Sequence, residues 1–350
     1  MVEAQRYPDD YDGILAGAPG NNRTHLHAMF LWNWAALHQE PGSALSPAQV
    51  ELVSNAVIKA RSARDGGAPS DDFLTDPRMC NFNPAKLLKP PGRAAPADYL
   101  TRAQVSALQK IYAGPTNPRT GERIYTPPPV GSERTIGLTL PADPKLPPPR
   151  SYLFRWVFGA GFDYTQFDFD RDLDKMDARL APILNANNPD LSGLRRRGGK
   201  ILMYTGTADA VTPFQDALNY YERVVQSQGG LAETQEFFRY FLVPGLGHAA
   251  GGPGLNDFGQ RLILDVPQDC EHDAFMALVK WVEQGVAPDK IIATAFKGGD
   301  PTNGIRFQRP IYPYPKFAHY IGGDVNSPSS YEGVDHPRGH VLPPAERYLN

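Results

Sequence analysis

GKILMYTGTADAVTP, residues 199–213, is the stretch that decides the fold class of this chain. The apolar run near its start, residues 200–204, predicts a buried β-strand. Small residues and Asp209 follow at once, which is typical of a turn, and residues 212–226 then predict a helix. The stretch therefore indicates one strand–turn–helix unit of an α/β protein.

Two other parts of the chain extend this pattern. Residues 238–243, FRYFLV, predict a second strand, and residues 273–284 predict an amphipathic helix that ends at Gly285. The short apolar run at 13–16, GILA, predicts another buried strand near the N-terminus. Strands that alternate with helices indicate a mainly parallel sheet.

The middle of the chain is different. Helices that begin with capping boxes, at 46–49 and 101–104, alternate there with irregular stretches rich in Pro, Gly and Asp. A long loop-rich region inside a compact protein usually forms a lid or a binding surface. We therefore predict an α/β core made of residues 1–23 and 195–350, interrupted by a lid domain of residues 24–194.

Composition excludes several classes of protein. Lys and Arg together number 35 against 38 Asp and Glu, and no basic block occurs, so we predict no nucleic-acid partner. No apolar run approaches the roughly 20 residues that cross a bilayer, so we predict no membrane span. The two cysteines are too few for a disulfide framework and lack the spacing of a metal site.

Asp209 and His248 each follow a predicted strand in a turn that contains glycine. Functional residues in parallel sheets lie at the carboxyl ends of strands, and Asp followed by His is the order of the last two triad members in α/β-hydrolases. In a triad the imidazole takes a proton from a serine, and the carboxylate orients the imidazole. Either residue alone is more often a turn former or a structural side chain, so the prediction depends on their pairing.

The sequence contains no evident nucleophile for this pair. The elbow motif Gly-x-Ser-x-Gly does not occur, and neither Cys80 nor Cys270 lies in a comparable turn. The histidines do not indicate a zinc hydrolase instead, because His25 and His27 are two residues apart on a predicted helix and point to different faces. We therefore predict no cofactor for catalysis.

Five blocks of sequence, spread over residues 3–294 in the same order, resemble the tannase and feruloyl esterase family. The blocks are EAQRYPDDYDGILAGAPGNN, YAGPTNPRTGER, RRGGKILMYTGTADAVTP, VPGLGHAAGGPG and WVEQGVAPDKIIAT. The resemblance implies an α/β-hydrolase that cleaves small-molecule esters of aromatic acids, such as galloyl or hydroxycinnamoyl esters. It places the catalytic Asp at Asp209 and the catalytic His at His248. It also implies a secreted or periplasmic protein, although the first residues show no signal-peptide pattern.

The resemblance also bears on the missing serine. In this family a Gly-Cys-Ser-x-Gly-Gly elbow precedes the EAQRYP block, and Glu3 matches the Glu of that block. We therefore expect the serine to lie upstream of Met1, with the core incomplete at its N-terminus and this chain inactive by itself. Residues 2–7 agree, since they predict the tail of a helix that stops before Pro8. Two alternatives remain open: a non-catalytic remnant or binding protein, and a complete hydrolase with an unfamiliar nucleophile.

Cysteine positions depart from the family pattern. The family has a cysteine directly after the catalytic His, bonded to the cysteine before the serine, and Ala249 stands there in this chain. The family's RPLCPYP appears here as residues 309–315, RPIYPYP, with Tyr312 in place of the cysteine, and its later cysteine partner appears as Gly333, so a second pair is lost. Cys80 matches a family position, but its expected partner appears as Lys89. These departures predict that His248 is positioned without a disulfide.

An acidic loop carries the last implied site. In the family, the lid holds calcium in a loop of the type Asp-x-x-Asp-Gly-x-x-Asp-Gly-x-Ile-x-Asp-Pro. Residues 62–77, SARDGGAPSDDFLTDP, correspond to it, and Asp65, Asp71 and Asp76 match three of its carboxylates, while Ser62 replaces the first. Oxygen ligands clustered on a short loop suit calcium, so the resemblance implies a structural calcium here. The alternative is an acidic surface turn.

Overall fold

The computed structural model describes residues 1–90, 97–139, 148, 150–261, 265–335 and 342–349. Its helices are, in chain order, α1 Val2–Arg6, α2 Arg23–His38, α3 Pro47–Lys59, α4 Arg102–Ala113, α5 Glu133–Ile136, α6 Tyr152–Phe158, α7 Arg171–Leu184, α8 Ser192–Arg196, α9 Phe214–Ser227, α10 Leu231–Gln235 and α11 Ala274–Gln284. Its strands are β1 Gly13–Gly17, β2 Lys200–Gly206, β3 Phe238–Val243, β4 Ile291–Phe296, β5 Ile305–Ile311, β6 Lys316–Tyr320 and β7 Tyr331–Asp335.

A three-stranded parallel sheet in the order β1-β2-β3 positions the candidate site. Register pairs Gly13 with Lys200 across β1 and β2, and Ile201 with Phe238 across β2 and β3. The three predicted strands and the parallel arrangement are thereby confirmed. The three strands therefore end at the same edge of the sheet, where the loops after β2 and β3 carry Asp209 and His248.

Both faces of this sheet are buried. Alternate residues of β2 point to opposite sides, so Ile201 joins one apolar cluster, with α9, and Leu202 joins the other, with α11, β4 and β5. The helix after β2 begins at Phe214 rather than at Thr212, because Asp209 through Pro213 form the turn that carries the candidate site. A sheet covered on both faces gives its strand-end loops a rigid base.

Two antiparallel strand pairs, β4 with β5 and β6 with β7, follow the parallel sheet. None of these four strands was predicted from the sequence. Strand β5 contains Arg306, Gln308, Arg309 and Pro310, a composition that does not favour a strand by propensity. Packing therefore overrides local preference in this part of the chain.

The chain divides into two compact units. One comprises Met1–Pro19, Arg61–Cys80 and Asn188–Val341, and the other comprises Gly20–Ala60, Asn81–Asn187 and Leu342–Asn350. The acidic loop at 62–77 thus groups with the α/β unit, although it lies within the range predicted as a lid. No helix in the described ranges is long and apolar enough to span a membrane.

The second unit is mainly helical. An apolar cluster rich in aromatic side chains forms its core and includes Leu26 and Met29 of α2, Phe154 of α6 and Met176 of α7. Both predicted capping boxes are present: Ser46 with Gln49 starts α3, and Thr101 with Gln104 starts α4. In each box the side chains satisfy backbone N–H groups that have no partner inside the helix.

Candidate active site

Asp209 lies in the turn after β2 and is held there by backbone groups. Its N–H donates to the carbonyl oxygen of Gly206 at 3.3 Å. Its Oδ1 accepts from the N–H groups of Val211 at 2.7 Å and Thr212 at 3.0 Å, and its side chain is 0% exposed. Two N–H donors on one oxygen fix the orientation of the carboxylate and leave Oδ2 for other partners.

The loop after β3 brings His248 over the end of β2. The carbonyl oxygen of Leu246 accepts from the N–H of Ala208 at 3.0 Å, so the two strand-end loops are bonded to each other. Gly206 allows this approach, since a Cβ at that position would lie 2.6 Å from the carbonyl oxygen of Gly247. His248 can therefore occupy this position only because a glycine stands at the end of β2.

His248 and Asp209 form a hydrogen-bonded pair. The Nδ1 of His248 lies 2.9 Å from Oδ2 of Asp209. Because a carboxylate oxygen can only accept, Nδ1 carries the proton and Nε2 keeps its lone pair. The His248 side chain is 46% exposed, and no hydrogen bond to its Nε2 comes from the residues that the structure describes. The pair thus leaves Nε2 available to a further partner, which is the arrangement that a general base requires.

Thr212 contacts both members of this pair, and no sequence pattern identified it as a site residue. Its hydroxyl donates to Oδ2 of Asp209 at 2.7 Å, and its Oγ1 lies 3.2 Å from Nδ1 of His248. Because the hydroxyl hydrogen of Thr212 is directed at Asp209, the Oγ1 atom of Thr212 can accept part of a bifurcated hydrogen bond from Nδ1 of His248. The only sequence signal was its place three residues after Asp209, where short polar side chains commonly cap a turn.

The end of β1 also reaches this cluster. Ala18 follows β1 with φ of +43°, and its N–H donates to the carbonyl oxygen of Tyr204 at 2.8 Å. Its own carbonyl oxygen lies 3.2 Å from Oγ1 of Thr212, within hydrogen-bonding distance. All three parallel strands therefore contribute to the environment of Asp209.

The His248 loop is held without a disulfide. Cys80 and Cys270 are both thiols, and the residue after His248 is Ala249 in a left-handed conformation, with φ of +57°. Backbone bonds close the loop: the N–H of Gly247 donates to Gly251 at 3.0 Å, and the N–H of Gly254 donates to Gly245 at 3.1 Å. The loop is therefore fixed by its own main chain.

The three carboxylates matched to the calcium loop are buried and have protein partners. Asp65 accepts from the N–H groups of Gly67 at 3.0 Å and Thr75 at 3.2 Å, and burial raises its pKa. Both oxygens of Asp76 accept from the guanidinium of Arg78, at 2.8 to 3.1 Å. These contacts occupy lone pairs that a metal would need.

Asp71 is also occupied by protein donors. Its two oxygens accept from the guanidinium of Arg309 at 2.6 and 2.9 Å, and Oδ2 also accepts from the N–H of Ala68 at 2.8 Å. Within the described ranges, no group of three His, Cys, Asp and Glu side chains is arranged to hold a metal ion. Calcium takes six to eight oxygen ligands, among them carboxylates, backbone carbonyls and water, and the described carboxylates are not grouped to supply their share, so they do not fit it.

A parallel sheet with a hydrogen-bonded Asp and His on successive strand-end loops defines the class of protein, that of the α/β-hydrolases. The particular family follows from comparison with known proteins. The family described as tannase and feruloyl esterase matches residues 1–142 and 153–334. The chain belongs to this family, as the five sequence blocks predicted.

Relatives agree with this assignment. The chain is 36% identical to an uncharacterized esterase of Xanthomonas campestris pv. campestris over 98% of its own length and 64% of that protein's. It is 32% identical to a probable feruloyl esterase of Arthroderma benhamiae over 95% of its own length and 60% of that protein's. It therefore spans less than two thirds of these curated relatives.

The fold has a counterpart among solved structures. Feruloyl esterase B from Aspergillus oryzae is similar with a TM-score of 0.82 at 26% identity, over 95% of this chain and 66% of that one. Mixed α/β architecture with a parallel sheet is thus shared with an ester hydrolase of known structure.

Proposed function

We propose that the protein is a carboxylic ester hydrolase that cleaves esters of aromatic acids, with Asp209 and His248 as two members of a Ser-His-Asp triad. One observation carries the proposal: Nδ1 of His248 donates to a fully buried carboxylate, while the His248 side chain is 46% exposed and its Nε2 has no hydrogen bond to the described residues. Family membership supports the reaction class, and the names of the relatives support aromatic substrates.

Under this proposal the pair performs two proton transfers. Nε2 of His248 takes the proton of the serine hydroxyl as the serine oxygen attacks the ester carbonyl, and then gives it to the departing alcohol oxygen. Water repeats the sequence on the acyl-enzyme and releases the acid. Asp209 orients the imidazole throughout, because two backbone N–H groups and the Thr212 hydroxyl hold its carboxylate in place.

We also propose that the serine belongs to a segment that precedes Met1 in the complete protein. The match of Glu3 to the block behind the family's elbow supports this, as does the fraction of the relatives' length that the chain spans. Residues 24–194 remain the proposed lid insertion, with the exception of Arg61–Cys80, which group with the α/β unit. The 350-residue chain by itself is then expected to lack hydrolytic activity.

The test compares two proteins on methyl ferulate, methyl gallate and p-nitrophenyl acetate. One is the 350-residue chain, and the other is the same chain extended by the codons upstream of Met1. We expect hydrolysis only by the extended protein and its loss on His248→Ala. The matched control is His272→Ala, since His272 is a partly exposed histidine that also pairs with an aspartate, Asp269, in the same unit.

The outcomes separate the parts of the proposal. Hydrolysis by the 350-residue chain that disappears with His248→Ala would show that the nucleophile lies inside it and would overturn the upstream serine. An extended protein that binds methyl ferulate without turnover would point to the non-catalytic binding protein instead. Activity that survives His248→Ala in the extended protein would remove the assigned base.

A further inference from the structure

Thr207 is buried at the base of the two loops that carry Asp209 and His248. It follows β2 directly, and the residue is 1% exposed. Its backbone N–H donates to the carbonyl oxygen of Val243, the last residue of β3, at 3.0 Å. Thr207 therefore lies where the ends of β2 and β3 meet, two residues before Asp209.

The hydroxyl of Thr207 adds a side-chain bond to the main-chain bonds of the His248 loop. Its Oγ1 accepts from the backbone N–H of Gly245 at 2.8 Å. The carbonyl oxygen of Gly245 accepts from the N–H of Gly254 at 3.1 Å, which closes the other end of the loop. Gly245 is thus held through both of its backbone groups, and Thr207 fixes the point at which the loop begins.

The same hydroxyl also bonds the acidic loop at 62–77. Oγ1 of Thr207 donates to the carbonyl oxygen of Leu74 at 3.2 Å. A hydroxyl has one hydrogen to donate and lone pairs that accept, so the bonds to Leu74 and from Gly245 can form together. One oxygen atom therefore connects the acidic loop to the loop that carries His248.

Packing brings the acidic loop against the same glycine. Gly245 has φ of +69°, and a Cβ at this position would lie 2.8 Å from Cδ2 of Phe73. Phe73 is 2% exposed and belongs to the apolar cluster that contains Leu246, the next residue of the His248 loop. The acidic loop thus contacts the start of the His248 loop through a ring as well as through a hydrogen bond.

We propose that Thr207 is a positioning residue for His248, and that residues 62–77 support the active site through its hydroxyl. The hydroxyl holds Gly245, and the loop that begins there places Nδ1 of His248 2.9 Å from Oδ2 of Asp209. Thr207 itself acts only through these residues. The inference rests on the proposed function, since it concerns the same general base.

NMR of the 350-residue chain labelled with ¹⁵N-histidine tests the proposal without catalysis. Thr207→Val keeps the shape of the side chain but leaves the N–H of Gly245 and the carbonyl of Leu74 without this partner. The His248 ring is identified by the signals that disappear in His248→Ala. We expect it to be protonated at Nδ1 in the unaltered chain and to lose this preference in Thr207→Val. Thr207→Ser restores the hydroxyl and should preserve it.

Thr205→Val is the matched control. Thr205 lies two residues earlier in β2 and is 0% exposed, and its Oγ1 lies 2.6 Å from the hydroxyl of Tyr240. Loss of this buried bond should lower the thermal midpoint, as Thr207→Val does, but should leave the His248 ring unchanged. The comparison separates a positioning role from a general loss of stability.

The extended protein provides the kinetic test. Thr207→Val should lower kcat roughly 10- to 100-fold with KM little changed, because a displaced imidazole affects proton transfer more than binding. Thr207→Ser and Thr205→Val should retain most of the activity. A changed His248 ring in Thr207→Val, together with no hydrolysis by any extended protein, would support the positioning role while rejecting the esterase function.

Two results would overturn the proposal. One is a His248 ring that stays unchanged in Thr207→Val, and the other is an equal change in Thr205→Val. If Thr207→Val fails to fold, amide hydrogen exchange of the unaltered chain decides. Protection of the Gly245 N–H would then support the proposal, and exchange at the rate of an exposed amide would overturn it.

Discussion

At the scale of single residues, two histidines of this chain lie in contrasting environments. The side chain of His248 is 46% exposed, and its Nδ1 is hydrogen-bonded to the carboxylate of Asp209. His27 is fully buried and donates from Nδ1 to the carbonyl oxygen of Arg150 at 2.7 Å. Desolvation, together with the positive charge of Arg23, lowers the pKa of His27 to about 3.

The low pKa of His27 predicts acid sensitivity. Between pH 6.5 and about 3 the unfolded chain binds a proton that the native His27 does not, so stability falls as the pH is lowered through this window. The slope from one such group approaches ~1.4 kcal/mol per pH unit. His27→Gln should flatten this part of the profile, measured as urea unfolding free energies between pH 7 and 4. An unchanged slope would contradict the assignment.

Thr212 gives the second prediction at this scale, which rests on the proposed function. Thr212→Val keeps the shape but removes the hydroxyl that contacts both Asp209 and His248. We expect kcat of the complete enzyme to fall roughly 10-fold, the size of one hydrogen bond to a charged group, with KM little changed. Thr212→Ser should retain most of the activity. Equal losses in both variants would exclude the hydroxyl as the cause.

The sequence predicts single site residues only where they follow a recognisable local element. Asp209 and His248 could be predicted because each comes directly after a recognisable strand. Arg309 could not, because its partner Asp71 is 238 residues away and its own strand is polar. Contacts between distant segments leave no local pattern in a single sequence.

Two capping boxes provide the clearest example at the scale of elements. Each was evident from four consecutive residues, since a capping box is a local arrangement. The structure adds a link between them: the side-chain amide of Gln104 donates to Gln49 at 2.8 Å, and Gln49 donates back at 3.1 Å. Both side chains are buried, so the starts of α3 and α4 are stabilised together.

This link predicts coupled stability effects. Gln49→Ala and Gln104→Ala should each cost about 2 kcal/mol, because each leaves buried amide or backbone groups without partners. The double variant should cost less than the sum, with a coupling of about 1 kcal/mol, measured in a double-mutant cycle by denaturant unfolding. Strict additivity would show that the two helix starts are independent.

The strands show where prediction from sequence stops. Strands β2 and β3 are largely apolar and buried, and β1 is a short apolar run that is only partly buried, so apolar runs identify all three. Strands β4 to β7 pair as antiparallel ribbons, and β5 and β7 carry charged residues that packing accommodates. Their assignment depends on tertiary contacts rather than on hydrophobic periodicity.

At the scale of the whole molecule, the chain's two units contain their own apolar clusters and no disulfide. Cys80 and Cys270 are thiols, and backbone hydrogen bonds close the His248 loop at the position where the family has a cysteine. Hydrophobic burial in clusters of this size can stabilise units of more than a hundred residues without cross-links.

Stability of this chain should therefore be independent of redox conditions. We expect the thermal midpoint to be the same with and without dithiothreitol, and two thiols per chain to react with a thiol reagent after denaturation. A reductant-dependent fall in the midpoint, or fewer than two reactive thiols under non-reducing conditions, would reveal a cross-link.

The loop after β3, which lies against Gly206 and carries His248, restricts how the sequence of this protein can vary. The loop over the end of β2 is anchored by main-chain groups, including the bond from Ala208 to Leu246 and the turn from Gly247 to Gly251. These main-chain hydrogen bonds can form with most side chains, but they require a fixed number of residues between the bonded groups. Insertions or deletions between β3 and Gly254 would displace the imidazole, whereas replacement of exposed side chains would not. The length of this loop is thus constrained more tightly than its composition.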